Sequence, residues 1–301
     1  MKLKFNELSH LSETAAAAAL EAGQYILSRF KTQFEKRPKD GGDTLASQVV
    51  TEVDITAQNI ILKHLKPSIN KYDLGLLTEE LDDNGSRLSK DYFWCIDPMD
   101  GTLPFSEGKT GYAVSIALIS RDGNPVIGVV NIPDLQECYV SIKHDGVKLN
   151  GEVFASRNES HEGPIHMYMD RSFNQEPYFN QVMNKMEGYA SEMNVGLVYT
   201  DHFGGVRNAI SVMNVSNGCY FKFPKQNKGC GSIWDYAATR LFFEELDLPV
   251  FNAFGEVLFL NDAKTAFMNK QGITYSTRKE LSQYIFKLKK DLFNDNFNSH
   301  T

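Results

Sequence analysis

The stretch "YFWCIDPMDGTLPF", Tyr92 to Phe105, constrains this chain more than any other. Tyr92 to Ile96 reads as a buried strand, and the apolar run breaks at Asp97, after which Pro98, Asp100, Gly101 and Thr102 follow almost at once. An acid at the end of a buried strand is delivered to the edge of a sheet, where Pro98 is expected to stop the pairing and Gly101 to allow a tight turn. Asp100 is then expected to face the same side as Asp97. Two carboxylates held this close repel each other unless a cation lies between them, and hard divalent ions such as Mg²⁺ take oxygen ligands of this kind. Backbone N–H groups of Gly101 and Thr102 at a helix start would add an anion site beside the metal, a combination that suits hydrolysis of a phosphate ester. A solvated Asp-Gly turn with a capping aspartate is the plain alternative for the same residues.

The rest of the chain can support such a site. At 301 residues, 42% of them hydrophobic, it can bury a large core and sits near the upper size of one bilobed unit. Its formal net charge is −7 with acids and bases interspersed, which disfavours a nucleic-acid polymer or a membrane surface as partner. Cys95, Cys138, Cys219 and Cys230 stand far apart, with no metal-type or disulfide-type spacing, so a reducing compartment is expected. The beginning lacks a signal-type apolar core and no run is long enough to span a bilayer, so a soluble, cytoplasmic protein is expected.

Local patterns divide the chain at about residue 150. "SETAAAAALEAGQYILSRFKTQF" predicts a long helix starting near Ser12, and "DITAQNIILKHL" a second from Asp54 to Leu65, stopped by Pro67. "YDLGLLTEELDDNGSR" reads as a strand entering an acidic loop with an Asn84-Gly85 turn. After the aspartate motif, β-rich runs joined by Asp122-Gly123 and Asp145-Gly146 turns predict an antiparallel meander, making residues 1–150 an α+β lobe. Shorter alternating runs, such as "IHMYMD" and "GVRNAISVMNVSNG", make residues 151–301 an α/β lobe, with a helix over "SIWDYAATRLFFEEL".

"DPMDGTLPF" resembles the D-P-(I/L)-D-G-T-x-x-F signature of the inositol monophosphatase family, the lithium-sensitive, Mg²⁺-dependent phosphomonoesterases that include 3'(2'),5'-bisphosphate nucleotidases. "VVTEVD", ending at Asp54, resembles the family's V-T-x-x-D segment and "LLTEE", Leu76 to Glu80, its acidic loop. "GVKLNG" and "GSIWDYAAT" resemble its G-x-x-x-N-G turn and W-D-x-A-A motif, all in the family's order. The resemblance implies a layered αβαβα sandwich of the sugar-phosphatase type, α/β in class, and a homodimer.

It also implies a ligand set for two or three Mg²⁺ ions. Glu79, Asp97 and the Met99 carbonyl would bind the first, and Asp100 and Asp235, with Asp97 bridging, the second. Thr102 with Glu79 would orient and deprotonate the attacking water, and the N–H groups of Asp100, Gly101 and Thr102 would grip the phosphate. Asp54 and Glu80 would support this set from behind. Each residue also has a plainer reading: Glu79 and Glu80 as an exposed acidic loop, and Asp54 and Asp235 as helix caps. A buried apolar thiol is the better reading of Cys95.

Two regions depart from the family pattern. The upstream loop linked to a third metal reads "KDGGDTLASQVVTEVD", with Ala46 where a K-x-D-x-S-like aspartate is expected, so Asp43 or Asp40 would serve only on a reshaped loop. Before the Trp-Asp motif, where inositol-specific members tend to carry an acid, the chain offers Lys222, Lys225 and Lys228. Lysines there favour a small phosphorylated metabolite with a second anionic group, such as a nucleoside bisphosphate or a sugar bisphosphate, and Lys222 is the substrate-binding candidate. Against this stand a solvated lysine loop and a non-catalytic metal- or anion-binding protein on the same scaffold. A haloacid-dehalogenase-type phosphatase fits less well, because its D-x-D spacing is one residue shorter.

Overall fold

The structure is a computed structural model that describes residues 2–32, 36–38, 49–155 and 163–294. Asp40, Asp43 and Ala46 of the reshaped loop lie outside the described residues.

In chain order, α1 (Phe5–Arg29) is followed by the short antiparallel pair β1 (Lys36–Pro38) and β2 (Val49–Thr51). Next come α2 (Glu52–Tyr72), β3 (Gly75–Thr78), α3 (Ser86–Ser89), β4 (Tyr92–Asp100) and α4 (Thr102–Ser106). The meander is β5 (Ala113–Ser120), β6 (Pro125–Ile132), β7 (Glu137–Ile142), β8 (Val147–Leu149) and β9 (Glu152–Val153). The second half holds β10 (Ile165–Tyr168), α5 (Phe179–Glu192), β11 (Leu197–Thr200), α6 (Gly205–Met213) and β12 (Gly218–Lys222). It closes with α7 (Ile233–Glu245), β13 (Val250–Phe251), β14 (Ile273–Ser276) and α8 (Lys279–Asn294).

One seven-stranded sheet runs β3-β4-β5-β6-β7-β8-β9, antiparallel apart from the parallel β3–β4 pair. A five-stranded sheet runs β11-β10-β12-β14-β13, parallel where β10 meets β11 and β12. The alternation of apolar side chains explains the layering. On β4, Trp94 and Ile96 enter a core with α1 and α2, while Phe93 and Cys95 enter a core with α6 and α7. On β12, Tyr220 joins that second core, while Cys219 and Phe221 pack with α5 and α8 in a third. The result is five layers, αβαβα, with α6 and α7 in the middle, where helices and both sheets share one core. Cys95, Cys138, Cys219 and Cys230 are all free and buried, and no helix among the described residues is long and apolar enough to cross a membrane.

Three sequence expectations change. The first helix begins at Phe5 instead of near Ser12: Glu7 accepts the Lys4 N–H at 2.7 Å, while Ser12 is buried and donates to the Ser9 carbonyl. Pro67 does not stop α2, which continues to Tyr72. Proline removes one helix hydrogen bond, but Ser68 Oγ donates to the Leu65 carbonyl at 2.6 Å and accepts from Trp94 Nε1 at 3.0 Å, tying that turn to the buried face of β4. Burial of Ile61 and Leu65 on the same face adds about 1.5–3 kcal/mol each, comparable to the loss at the proline.

Nor does Pro98 end the pairing of β4. Asp97 opposes Ser115 and Asp100 opposes Ala113, so Pro98 and Met99 together face the single residue Val114, which is a β-bulge. In a regular strand, residues three apart point to opposite faces. The extra residue cancels that: Met99 joins the α1–α2 core, and Asp97 and Asp100 both face α6 and α7.

Candidate active site

Asp97 and Asp100 open onto a cavity of about 600 Å³ between the two sheets. Asp235 reaches the same point from the other side. It is the third residue of α7, and its Oδ2 accepts the N–H of Ser232, the helix cap, at 2.9 Å. One carboxylate therefore caps a helix and lines the cavity. Ligand oxygens of Asp97, Asp100 and Asp235 all lie within 4.8 Å of one another.

These acids are held rigidly. Asp97 accepts the Met99 N–H at 3.0 Å, a bond internal to the bulge. Asp100 accepts two N–H groups at the start of α6, Gly205 at 2.9 Å and Val206 at 2.8 Å. Gly204 makes that approach possible, because a Cβ there would stand 2.3 Å from Asp100 Oδ2. Gly101, with φ of 85°, turns the chain from β4 into α4, and its missing side chain leaves room for the Gly111 carbonyl.

The charges are not balanced. Burial, then repulsion from Glu79, Asp235 and Asp100, pushes the Asp97 carboxyl well above the usual range. Burial and Asp235 do the same to Asp100, against the pull of the Val206 and Gly205 N–H groups. Asp235 rises to about 6 through burial and Glu79, with Lys222 drawing it back. Three acids that resist ionisation, two of them buried and Asp235 half-buried, form a donor set suited to a hard divalent cation, which would supply the missing positive charge. Asp97, Asp100 and Asp235 would hold it, and Glu79, which lines the same cavity, extends the set.

Beside this cluster, Thr102 Oγ1 donates to Asp54 Oδ1 at 2.9 Å and lies 3.1 Å from the Met99 carbonyl. Asp54 is buried in the first turn of α2 and serves Thr102 across the cavity wall, whereas its sequence position suggested a helix cap equally well. Glu80 does not line the cavity: its N–H donates to Gln58 Oε1, which also accepts the Thr78 hydroxyl. Cys95 shares the face of Asp97, and burial, then Asp235, raises its thiol well above the usual range, which makes it inert.

Of the three lysines, Lys222 and Lys225 line the cavity and Lys228 lies over the Phe267 ring, 5.4 Å from its centroid. Sequence reasoning missed Asp170, the partner of Lys222, and Arg171, which forms a bidentate pair with Glu107 at 2.7 and 2.8 Å. It also missed the α6 N-terminus. Signals existed: Asp170 ends the apolar run "IHMYM" as Asp97 ends "YFWCI", and Gly204-Gly205 precedes a helix, a pattern that favours close approach by an anion.

The geometry has relatives. Residues 7–291 match the model of the inositol monophosphatase family. Among curated proteins, the Arabidopsis thaliana bifunctional phosphatase IMPL2, chloroplastic, is 31% identical over 52% of this chain and 43% of its own length. A fructose-1,6-bisphosphatase/inositol-1-monophosphatase from Aquifex aeolicus is 30% identical over 53% of this chain and 59% of its own. The chain thus spans about half the length of the curated relatives it matches. Among solved structures, the Thermotoga maritima IMPase superposes with a TM-score of 0.71 at 19% identity, covering 94% of this chain and 98% of that one. An IMPase/NADP phosphatase complexed with NADP and Ca²⁺ gives 0.74 at 16% identity, covering 96% and 97%. At such identities the superpositions establish the fold.

Proposed function

Since the chain belongs to the inositol monophosphatase family, we propose that it hydrolyses a phosphate monoester of a small metabolite with Mg²⁺. The substrate of this reading is a 3'(2'),5'-bisphosphate nucleotide or an inositol monophosphate. The observation that carries it is the buried, mutually repelling cluster of Asp97, Asp100 and Asp235 at one end of a cavity that also holds Thr102. Bound Mg²⁺, in two or three ions, would neutralise the phosphoryl oxygens and make water a stronger nucleophile.

The chain's own groups do the rest. The Thr102 hydroxyl proton is committed to buried Asp54 or the Met99 carbonyl, so Oγ1 can only accept toward the cavity. A water there donates to Thr102 and turns a lone pair toward phosphorus, while Glu79 takes its second proton. The N–H groups of Asp100, Gly101 and Thr102 border the place where the phosphate oxygens lie. No protein nucleophile is needed. The four buried free thiols support a reducing, cytoplasmic setting, and a homodimer belongs to the same reading.

A sugar bisphosphate is the second substrate reading, supported by the Aquifex aeolicus relative. Phosphate release from inositol 1-phosphate, adenosine 3',5'-bisphosphate and fructose 1,6-bisphosphate, with and without Mg²⁺ and Li⁺, tests both. Mg²⁺-dependent release from one of them is expected. A silent panel would favour the non-catalytic binding protein.

A further inference from the structure

Lys222 is the last residue of β12, and Asp170 lies just beyond β10, its parallel neighbour, so both emerge at the same sheet edge. Both oxygens of Asp170 have partners within the protein. Its Oδ1 accepts Tyr220 Oη at 2.8 Å and Asn208 Nδ2 at 3.3 Å, and its Oδ2 pairs with Lys222 Nζ. The ammonium lies 5.7 Å from the Tyr220 ring centroid and 5.6 Å from that of Tyr236. An ammonium has three N–H groups. Asp170 takes one, and the side chain, 13% exposed, lines the cavity that holds the carboxylate cluster.

That cavity extends past Lys222 to Arg171, Gln175 and Lys225, giving space for more than a phosphate group. Lys225 is only loosely paired, 3.8 Å from Glu176. A fixed cation with donors left, with a second cation beside it, matches an anion better than a neutral hydroxyl, since charge-assisted hydrogen bonds are roughly twice as strong.

The geometry points to Lys222 as the residue that selects the leaving group of the substrate, by binding an anionic substituent on it, with Asp170 as its positioning residue. This deepens the phosphatase reading and rests on it. Asp170 acts through Lys222, because it is a negative group that holds the ammonium in place and would itself repel an anionic substituent.

The test compares adenosine 3',5'-bisphosphate with adenosine 3'-monophosphate, which lacks only the second anion. Calorimetric binding to the chelator-treated protein comes first, then steady-state kinetics with Mg²⁺, for wild type, Lys222→Met, Lys222→Arg and Asp170→Asn. Wild type is expected to bind the bisphosphate at least about tenfold more tightly, and Lys222→Met to erase that gap. Lys222→Arg should keep most of it. With Mg²⁺, Lys222→Met should raise KM for the bisphosphate about 10- to 100-fold more than KM for the monophosphate, any change in kcat that reaches Asp235 falling on both esters alike. Asp170→Asn should give a smaller rise in the same KM.

Three results would overturn the inference: no gap in wild type, a gap that survives Lys222→Met, or an equal rise in KM for both esters. An unchanged bisphosphate KM in Asp170→Asn would remove the positioning role. If Lys222→Met fails to fold, Lys222→Arg and Asp170→Asn still decide the matter. A binding gap that depends on Lys222, without turnover, would leave the anion subsite standing and defeat only the hydrolase reading.

Discussion

Both sheets deliver acids from strand ends into one cavity, yet the two edges are built on opposite electrostatic principles. At the edge of the seven-stranded sheet, Asp97 and Asp100 meet Asp235 with no ion pair to them among the described residues, and the carboxyls are driven above their usual range. At the edge of the five-stranded sheet, Asp170 is matched by Lys222, Tyr220 and Asn208. Burial lowers the Lys222 ammonium, but Asp170, Tyr236 and Asp235 outweigh it and hold it well above the usual range. An edge with an unmatched charge calls for an ion from outside. A matched edge is preformed, and what it offers is shape and a fixed donor.

The strongest way to break this contrast is Asp97→Asn. Loss of one ligand charge should lower turnover about a thousandfold, while the metal-free protein melts no lower than wild type because a repelled carboxylate is gone. Phosphate release and a thermal melt on one preparation check it, and a large fall in Tm would mean that Asp97 is structural.

Gly204→Ala attacks the same edge from α6. Its Cβ would displace the Asp100 carboxylate, and a shift of about 1 Å in a catalytic group costs on the order of a hundredfold. Unchanged kcat would show that Asp100 need not stay on the Gly205 and Val206 N–H groups.

A third test sharpens the electrostatics. Carboxyls raised in the fold favour the protonated form, so their contribution to metal-free stability is full below the unfolded value near 4 and is lost as pH rises through about 6 for Asp235. The gain in Tm on adding Mg²⁺ should therefore grow between about pH 5 and 7.5, as protons cease to compete. A gain that shrinks over this range would contradict an unmatched acid cluster.

The smallest effect is expected at the cavity mouth. Glu107, drawn to about 2 by hydrogen bonds from Arg171 and then Lys109, forms a partly exposed pair joining the two halves of the molecule. Glu107→Gln should change stability by less than about 1 kcal/mol, with the loss confined to pH above the depressed value. A denaturant titration at neutral and at acid pH measures it.

The two edges also differ in how legible they were. Asp97, Asp100, Thr102 and Asp235 could be found because they sit in short motifs whose chemistry depends on near neighbours, and the layered fold followed from the resemblance those motifs carry. Asp170 could not be found that way: its partners Asn208, Tyr220 and Lys222 are distant in sequence and meet it only when β10, α6 and β12 pack. The helix through Pro67 was hidden for a similar reason, since a buried Trp94 on another element supplies the compensation.

The bulge at Pro98 and Met99 changes the phase of β4. Upstream of it odd-numbered residues point toward α7, and downstream even-numbered ones do, so the strand keeps two reading frames joined at one place. If the same residues ran on as a regular ladder without the bulge, the carboxylate at position 100 would turn to the side of α1 and α2. The sheet would lose nothing in pairing, yet the two acids would be separated by its thickness. For two acids spaced three residues apart, one bulge in a strand separates an ordinary sheet edge from a place where two negative charges must meet.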